Sequence, residues 1–396
     1  MDSGRLARRV QGAAPSATLA MKAEADRLRA GGAVLYDLGL GEPDFDTPPH
    51  IKEAGQRAIR ENRTHYTAVP GIVELRKAIA ARYATTYGAK YGPDEVLTGC
   101  GAKGVLFALS QALIDPGDEV AIFAPYWVSY PEQIRLAGGV PVIVPTSEDE
   151  GFTPRAAALE ARLTPRTRVI VLNSPCNPTG AMIPAAEWQG IADLALAHDI
   201  VVISDECYEL FVYAGETFVS GASCLPRLKD RLVLVGAVSK SYAMTGWRVG
   251  YALGPRDIIG AAAMVQSHDA SQAPSISQHA ALAAITGDQA PVAVMLAEYA
   301  KRREVVLEEM RRIPDVRCAT PKGAFYAFPN VTGLYGRLGV GGSEELAAMV
   351  LREAQVVTVP GDGFGAPGYI RISYAAPIET VREGIRRIAR LAGGAV

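Results

Sequence analysis

Short apolar runs alternate with longer amphipathic segments through the middle of the chain. Segments 156–163 and 185–198 are rich in alanine and leucine, have the length of helices, and separate some of these runs. Alternation of this kind predicts crossover connections and a largely parallel sheet that helices cover on both faces. The runs that we predict to be strands are 119–123, 140–144, 168–172, 200–204 and 231–235. We expect their sheet to lie within residues 48–285.

The pattern changes near residue 290. Residues 290–312 form a long, charged segment, which predicts a helix that bridges two domains. The segments after it favour a smaller α+β domain, with strands at 324–328, 356–359 and 369–373 and helices at 343–354 and 378–391. We therefore predict an N-terminal arm that forms part of the small domain, a large domain, and a C-terminal small domain, at residues 1–47, 48–290 and 291–396.

The composition is that of a near-neutral globular protein. The 396 residues include 40 lysines and arginines against 42 aspartates and glutamates, and 49% of them are hydrophobic. This balance gives no basis for binding nucleic acid or an anionic membrane. No apolar run approaches the length of about 18 residues that a membrane span requires, and no apolar signal-peptide core follows the basic N-terminus. We expect a cytoplasmic protein.

The cysteines give no sign of a structural cross-link. Five cysteines are scattered along the chain, with no Cys-x-x-Cys pair. An odd number at such spacing argues against a disulfide framework and against a zinc site. We expect reduced thiols and no metal centre.

A lysine after an apolar run is the most informative single residue. Residues 233–251 read VLVGAVSKSYAMTGWRVGY, so that Lys240 follows a strand-like run and Arg248 comes eight positions later. Burial among small residues and beside an arginine lowers the pKa of a lysine from its usual value of about 10.4. The neutral amine is a nucleophile that can form a Schiff base. A lysine in a loop whose head group reaches solvent is the alternative.

A glycine-rich segment, GCGAKG at residues 99–104, precedes a predicted helix at 105–113. As a dinucleotide fingerprint it would indicate an NAD-dependent dehydrogenase, with Glu119 as the acid about 20 residues further on. That acid is misplaced, because it comes just before the apolar run 120–123, whereas the acid of a dinucleotide site follows the second strand. A more general prediction survives, in which small residues at a helix N-terminus offer backbone N–H groups to a phosphate. An ordinary tight turn is the alternative.

Two further predicted strands end in polar residues. Asn173 and Asn177 lie in NSPCNPTG, which directly follows the run 168–172. Asp205 directly follows the run 200–204, and Tyr208 comes three residues later. Open α/β folds bind ligands at the carboxyl ends of their strands. There a carboxylate can hold a protonated heterocyclic nitrogen, and a phenol can donate to a phenolate oxygen. Turn chemistry, a helix cap and a core aromatic are the respective alternatives.

Taken together, these segments resemble one family almost from end to end. The chain resembles the pyridoxal-phosphate enzymes of fold type I, specifically the class I, aspartate-aminotransferase-like branch that contains bacterial aspartate and prephenate aminotransferases. The residues that carry the resemblance are 41–48 (GEPDFDTP), Tyr66, 70–71, 125–131 (PYWVSYP), 173–180, 204–206 and 239–251. The resemblance implies an α/β fold with a mostly parallel seven-stranded sheet in a large domain, plus a smaller α+β domain. It also implies pyridoxal 5'-phosphate as cofactor and a homodimer with shared active sites.

The resemblance assigns cofactor contacts to particular residues. Lys240 is similar to the lysine that holds the cofactor covalently and later moves the substrate proton. Asp205 corresponds to the partner of the ring nitrogen, and Trp127 to the residue that stacks on the ring. Tyr208 and Asn177 would hold the phenolate oxygen. The residues implied for the phosphate are Gly101, Ala102, Lys103, Ser239, Arg248 and, from the neighbouring subunit, Tyr66.

Substrate contacts also follow from the resemblance. Arg371 would bind the α-carboxylate, with the N–H of Gly41 beside it and with Asn177 and Trp127 nearby. Lys103 matches a lysine that reads a distal carboxylate, and Thr18 matches a position associated with prephenate. The expected reaction is a ping-pong aminotransfer from aspartate or glutamate to a 2-oxo acid such as 2-oxoglutarate, oxaloacetate or prephenate. A solvated lysine is the alternative for Lys103.

Three other functions stay open at this stage. An enzyme of the same fold can use pyridoxal phosphate for elimination, cyclisation or β-decarboxylation, because one carbanion serves all these reactions. An NAD-dependent dehydrogenase is a different class, for which Lys240 would have no role. A non-catalytic regulator on this fold would normally carry a DNA-binding module, and no basic helix-turn-helix segment precedes residue 30.

Overall fold

The computed structural model describes residue 5 and residues 7–12 and 17–394 of the chain. Twelve strands lie in this part of the chain: β1 (Tyr36–Asp37), β2 (Val96–Cys100), β3 (Glu119–Ala124), β4 (Val140–Pro145), β5 (Thr167–Asn173), β6 (Val201–Asp205), β7 (Leu232–Ala237), β8 (Val249–Leu253), β9 (Tyr326–Ala327), β10 (Val356–Val357), β11 (Val359–Pro360) and β12 (Ile370–Ser373).

The helices of the described ranges surround these strands. They are α1 (Arg8–Gln11), α2 (Ala17–Ala30), α3 (Pro49–Arg60), α4 (Val73–Tyr87), α5 (Gly101–Leu113), α6 (Ser129–Leu136), α7 (Ala156–Glu160), α8 (Ala185–Ala197), α9 (Arg256–Ser267), α10 (Ser275–Thr286), α11 (Ala290–Met310), α12 (Tyr335–Leu338), α13 (Ser343–Met349) and α14 (Ile378–Leu391). A π-helical turn, Val350–Ala354, follows α13 directly.

Seven strands form the central sheet, in the order β2-β8-β7-β6-β5-β3-β4. Only β8 is antiparallel to its neighbours, β2 and β7, among these seven strands. Side chains of β5 alternate between two apolar clusters, with Val169 and Val171 in one and Ile170 and Leu172 in the other. Both faces of the sheet are therefore buried under helices, as in other parallel sheets. The predicted fold class, an α/β fold with a mostly parallel seven-stranded sheet, is confirmed.

The predicted elements agree with the observed ones in position and differ mainly at their ends. The run 168–172 lies within β5, and the segment 378–391 coincides with α14. Helix α5 begins at Gly101, four residues before the predicted start, because the glycine-rich segment forms its first turn. The predicted strand 356–359 is divided into β10 and β11, which join different sheets.

Two smaller sheets lie outside the central one. Strands β9, β11 and β12 form an antiparallel sheet, and β1 pairs in parallel with β10. The N-terminal residue Tyr36 is thereby paired with Val356, more than 300 positions later. The pairing joins an N-terminal strand to a C-terminal one. The three domain boundaries themselves stay a prediction.

The described residues form neither a single membrane-spanning helix nor a metal cluster. Within that part of the chain, α10 and α11 are long and apolar enough to cross a membrane only if taken together, and the two are bent by 79°. The same part of the chain holds no group of three histidine, cysteine, aspartate or glutamate side chains placed to bind a metal ion. All five cysteines are free thiols.

Candidate active site

A cavity of about 370 Å³ lies at the carboxyl ends of the central strands. Asn173, Asp205 and Ala237, the last residues of β5, β6 and β7, all line it. Asn173 and Asp205 are paired in register, so that they lie side by side at this edge. The predicted site residues that line the cavity are Gly41, Ala102, Lys103, Trp127, Asn177, Asp205, Tyr208, Ser239, Lys240, Arg248 and Arg371.

Lys240 follows β7 by three residues and points its amine into the cavity, where Nζ donates to the carbonyl of Gly41. Burial lowers the pKa of Lys240 to about 8, although the nearby Cys207 and Glu42 act in the opposite direction. A substantial fraction of this lysine is therefore neutral near pH 8. The alternative of an ordinary solvated lysine does not agree with this position.

Asp205 ends β6 with its side chain buried. The hydroxyl of Tyr130 donates to Oδ2 at 2.6 Å, and the backbone N–H of Cys207 donates to Oδ1 at 3.1 Å. Burial raises the pKa of Asp205, and these two donors oppose the shift because they stabilise the ionised form. The Asn173 amide donates to the carbonyl of Asp205 at 3.0 Å, which ties the two strand ends together.

The first turn of α5 and Arg248 form one wall of the cavity. The guanidinium donates to the carbonyls of Thr245 and Cys100 at 2.9 and 3.3 Å. Gly101 has a φ of +72°, and a Cβ there would lie 2.5 Å from Nη2 of Arg248. Glycine is therefore required for this close approach. Gly101 itself does not line the cavity, but its peptide carries the helix N-terminus, where backbone N–H groups favour an anion.

Arg371 lies on β12 and is buried against the cavity floor. Its Nη2 donates to the carbonyl of Gly39 at 2.7 Å, and its Nη1 donates to Oδ1 of Asn177 at 3.1 Å. The ring of Tyr326 lies under the guanidinium, with 4.6 Å between Cζ and the ring centroid. Nε of Arg371 is buried and has no hydrogen-bond partner among the described residues. This guanidinium is held in place yet keeps unused capacity to bind an anion.

Lys103 and Trp127 lie against each other in the lining of the cavity. The ammonium of Lys103 lies 4.9 Å from the centroid of the Trp127 ring, within the range of a cation–π contact. Lys103 lies in the first turn of α5 and is exposed, so that its charge is free to meet a ligand. Both side chains line the cavity, and their contact with ligands stays a prediction.

Tyr66, a predicted site residue, is not brought into the cavity of the single chain. Tyr66 is 89% exposed and lies in a separate surface hollow with Arg63 and His279. This placement leaves its predicted role, in a neighbouring subunit, untested. The side chain of Thr18 lies outside the described part of the structure.

The structure adds residues to which sequence reasoning gave no role. Tyr326 joins its hydroxyl to that of Tyr208 at 2.8 Å, so that two buried phenols share one hydrogen bond. A tyrosine in a buried strand needs a polar partner, and this requirement is the signal that would have indicated Tyr326. Lys22 and Met21 of α2 form another wall. Nothing in their local sequence indicates that role, because it depends on where α2 packs.

The charges of the cavity favour an anionic ligand. Its described lining includes five cationic side chains and three carboxylates: Lys22, Lys103, Lys240, Arg248 and Arg371, with Asp37, Glu42 and Asp205. The cations lie on several walls, so that one ligand with two or three separate anionic groups can meet them together. A nucleophilic amine and a buried carboxylate lie in the same space.

Comparisons with known proteins agree with this geometry. The family model described as "Aminotransferase class I and II" matches residues 33–388. Aspartate aminotransferase of Geobacillus stearothermophilus is 44% identical over 386 residues, which are 98% of each chain. Aspartate/prephenate aminotransferase of Thermus thermophilus is 42% identical over 393 residues, covering 98% of this chain and 99% of the relative.

A solved structure of an aspartate aminotransferase has a backbone fold similar to that of this chain. The structure of aspartate aminotransferase from Thermus thermophilus with maleate is similar to this chain with a TM-score of 0.92 and 41% sequence identity. The match covers 98% of this chain and 99% of that one.

Proposed function

The chain belongs to the class I and II aminotransferase family, and on that premise we propose that it transfers the amino group of aspartate or glutamate to a 2-oxo acid. The substrates of aminotransferases are amino and keto acids. One observation carries the proposal: Lys240, Asp205 and Arg371 line a single cavity. The family match leaves the dehydrogenase interpretation of the glycine-rich segment without support.

Pyridoxal phosphate is the cofactor of aspartate aminotransferases, and the residues of the cavity fit it. Gly101 leaves room for Arg248 beside the N-terminus of α5, and this cradle suits a phosphate. Ser239 is buried nearby with its hydroxyl available to the same group. Asp205 would meet the ring nitrogen, Trp127 would cover the ring face, and Tyr208 with Asn177 would hold the phenolate oxygen.

The cofactor and the side chains of the protein would perform different parts of the reaction. Pyridoxal phosphate, when bound, supplies the electron sink for a bond to the substrate α-carbon. Lys240 would take the proton from the α-carbon at Nζ, and a pKa of about 8 suits a base that works near neutral pH. Arg371 would hold the α-carboxylate, and Asp205 would keep the ring nitrogen protonated by its negative charge.

The choice of a dicarboxylic substrate rests on Lys103. Its ammonium lies over the Trp127 ring, and it lines the same cavity as Arg371, whose guanidinium would take the α-carboxylate. The similar Thermus thermophilus enzyme was solved with maleate, a dicarboxylate. Relatives include both aspartate and aspartate/prephenate aminotransferases, so that prephenate stays among the proposed acceptors.

We also infer a homodimer with shared sites. Tyr66 is an exposed aromatic residue, and Arg248 is exposed in the single chain. A tyrosine from a partner subunit would cover the arginine and complete the phosphate contacts. The cytoplasmic location stays a prediction.

The cofactor is tested directly on the purified protein. We expect a yellow protein whose absorption changes when aspartate or glutamate is added. Borohydride should bleach it and fix the cofactor to the peptide that contains Lys240, which mass spectrometry of a digest identifies. A colourless protein that takes up no added pyridoxal phosphate would refute the proposal. Product analysis with aspartate and 2-oxoglutarate then separates aminotransfer, which yields oxaloacetate and glutamate, from β-decarboxylation, which yields alanine.

Substrate selectivity is tested at Lys103. Lys103→Ala should lower kcat/KM about tenfold or more for aspartate, because one charged hydrogen bond to the distal carboxylate is lost. Monocarboxylic amino acids should lose much less. Lys52→Ala is the matched control, since this lysine pairs with Asp46 at 3.2 Å and does not line the cavity. Equal losses on both substrate classes would contradict the role of Lys103.

A further inference from the structure

Tyr130 holds the carboxylate that faces the cavity. Its hydroxyl donates to Oδ2 of Asp205 at 2.6 Å, and its side chain is only 4% exposed. No other side-chain hydroxyl of the described residues donates to this carboxylate. Cys207 supplies the other contacts: its backbone N–H donates to Oδ1 at 3.1 Å, and its thiol also forms a hydrogen bond that lowers the pKa of Asp205. The direction of the Asp205 side chain is thus fixed at both oxygens.

The contact counters the cost of burying Asp205. A buried carboxylate tends to take up a proton, because the low-dielectric interior disfavours its charge. Burial raises the pKa of Asp205, while the Tyr130 hydroxyl lowers it. Burial and the negative charge of Asp205 both raise the pKa of Tyr130 well above its usual value, so that the phenol keeps its proton. Tyr130 is therefore a permanent donor.

Helix α6 places the phenol firmly. Tyr130 lies in its first turn, and the ring of Trp127 meets the Tyr130 ring edge to face, with 5.4 Å between centroids. One turn further, Gln133 donates to the carbonyl of Lys103 at 3.0 Å. The same short helix therefore contacts both Asp205 and the first turn of α5. Side chains locked in this way keep a functional group in one geometry.

We propose that Tyr130 is a positioning residue, which keeps Asp205 ionised and oriented so that its charge can stabilise a protonated ring nitrogen of the cofactor. This inference rests on the proposed function, since it requires pyridoxal phosphate in the cavity. It assigns to Tyr130 no contact with substrate. Its effect is transmitted entirely through the carboxylate.

Tyr130→Phe tests the inference, because it keeps the ring and removes only the hydroxyl. The first readout is the 15N chemical shift of ring-labelled pyridoxal phosphate, which distinguishes a protonated from a neutral pyridine nitrogen. In the variant this shift should move toward the neutral value. The second is the dissociation constant of pyridoxal phosphate by equilibrium dialysis, which should rise roughly tenfold for one lost hydrogen bond to a charged group.

The matched control is Tyr242→Phe. Tyr242 is also 4% exposed and also donates one hydrogen bond to a side chain, Oε1 of Gln289 at 2.9 Å. It does not line the cavity. This variant should leave the 15N shift and the dissociation constant as in the unsubstituted enzyme. Equal changes in both variants would mean that Tyr130 acts only through general packing, and would overturn the inference.

A double-mutant cycle with Asp205→Asn separates the possible failures. If Tyr130 acts through Asp205, Tyr130→Phe should change neither readout further once Asp205 is already neutral. An additional, independent change would overturn the inference and leave the proposed function intact. An unsubstituted protein that binds no pyridoxal phosphate would overturn both. A normal 15N shift in Tyr130→Phe, beside a shifted one in Asp205→Asn, would overturn the inference alone.

Discussion

Lys240→Ala is expected to lower the turnover number by roughly 10⁴-fold, the upper range for loss of a general base. The amine of Lys240 would both hold the cofactor and move the α-proton, and no other lysine among the described residues lines the cavity at the carboxyl end of β7. The smaller Ala side chain leaves the backbone after β7 unchanged. Cofactor binding should weaken yet stay measurable, because Arg248, Ser239 and the N-terminus of α5 would still hold the phosphate.

Single-turnover absorption measurements with aspartate provide the test for Lys240→Ala. Added small primary amines should restore part of the activity, since they can enter the space of the missing side chain and accept the proton. Lys52→Ala is the control, because Lys52 is exposed and pairs with Asp46 at 3.2 Å. Full activity of Lys240→Ala would show that the catalytic assignment is wrong.

Arg371→Ala is expected to lower kcat/KM for aspartate by about 10²- to 10⁴-fold. Two charged hydrogen bonds to the α-carboxylate would be lost, at about 1.5–3 kcal/mol each. The Gly39 carbonyl and the Asn177 amide, which now accept from the guanidinium, would also lose their donor. Arg371→Lys should recover only part of the loss, because an ammonium cannot bind a carboxylate in the two-pronged geometry of a guanidinium.

The comparison for Arg371 is Arg248→Ala. Arg248 lies beside the first turn of α5, so that its loss should weaken retention of pyridoxal phosphate. Arg371→Ala should instead leave cofactor retention nearly unchanged and affect the substrate. Steady-state kinetics and equilibrium dialysis on both variants check this difference. Equal changes in kcat/KM and in cofactor retention for the two variants would contradict the separate roles of Arg371 and Arg248.

Much of the fold was accessible from apolar periodicity. The runs predicted as strands, such as 168–172 and 200–204, correspond to β5 and β6, because strands buried on both faces are continuously apolar. Strand β8 was not among the predicted strands. Its antiparallel direction depends on pairing between β2 and β7, which is not a local property of the chain. The short β9 and β10 lie within the predicted strands 324–328 and 356–359, but their sheet partners were not predictable from local sequence.

The candidate site was predictable where a polar or charged residue follows closely after the end of a predicted strand. Asp205 and Asn177 stand out because each is a polar residue close after an apolar run. Lys240 stands out because it is a lysine close after such a run. The roles assigned to them came from the resemblance and stay proposals. Tyr326 and Lys22 received no role, since each enters the cavity from an element distant in sequence. The roles of Tyr66 and Thr18 stay predictions, because Tyr66 would act from a neighbouring subunit and the side chain of Thr18 lies outside the described part of the structure.

The sequence by itself determined which residues stand at the ends of the strands and which family they resemble, because both depend on local order along the chain. Only the tertiary structure decided how those residues are held. Tyr130 and Asp205 are 75 positions apart, Tyr208 and Tyr326 are 118 apart, and Gly39 and Arg371 are 332 apart. Such contacts form when whole elements pack together, and the donor that keeps Asp205 in place follows from that packing.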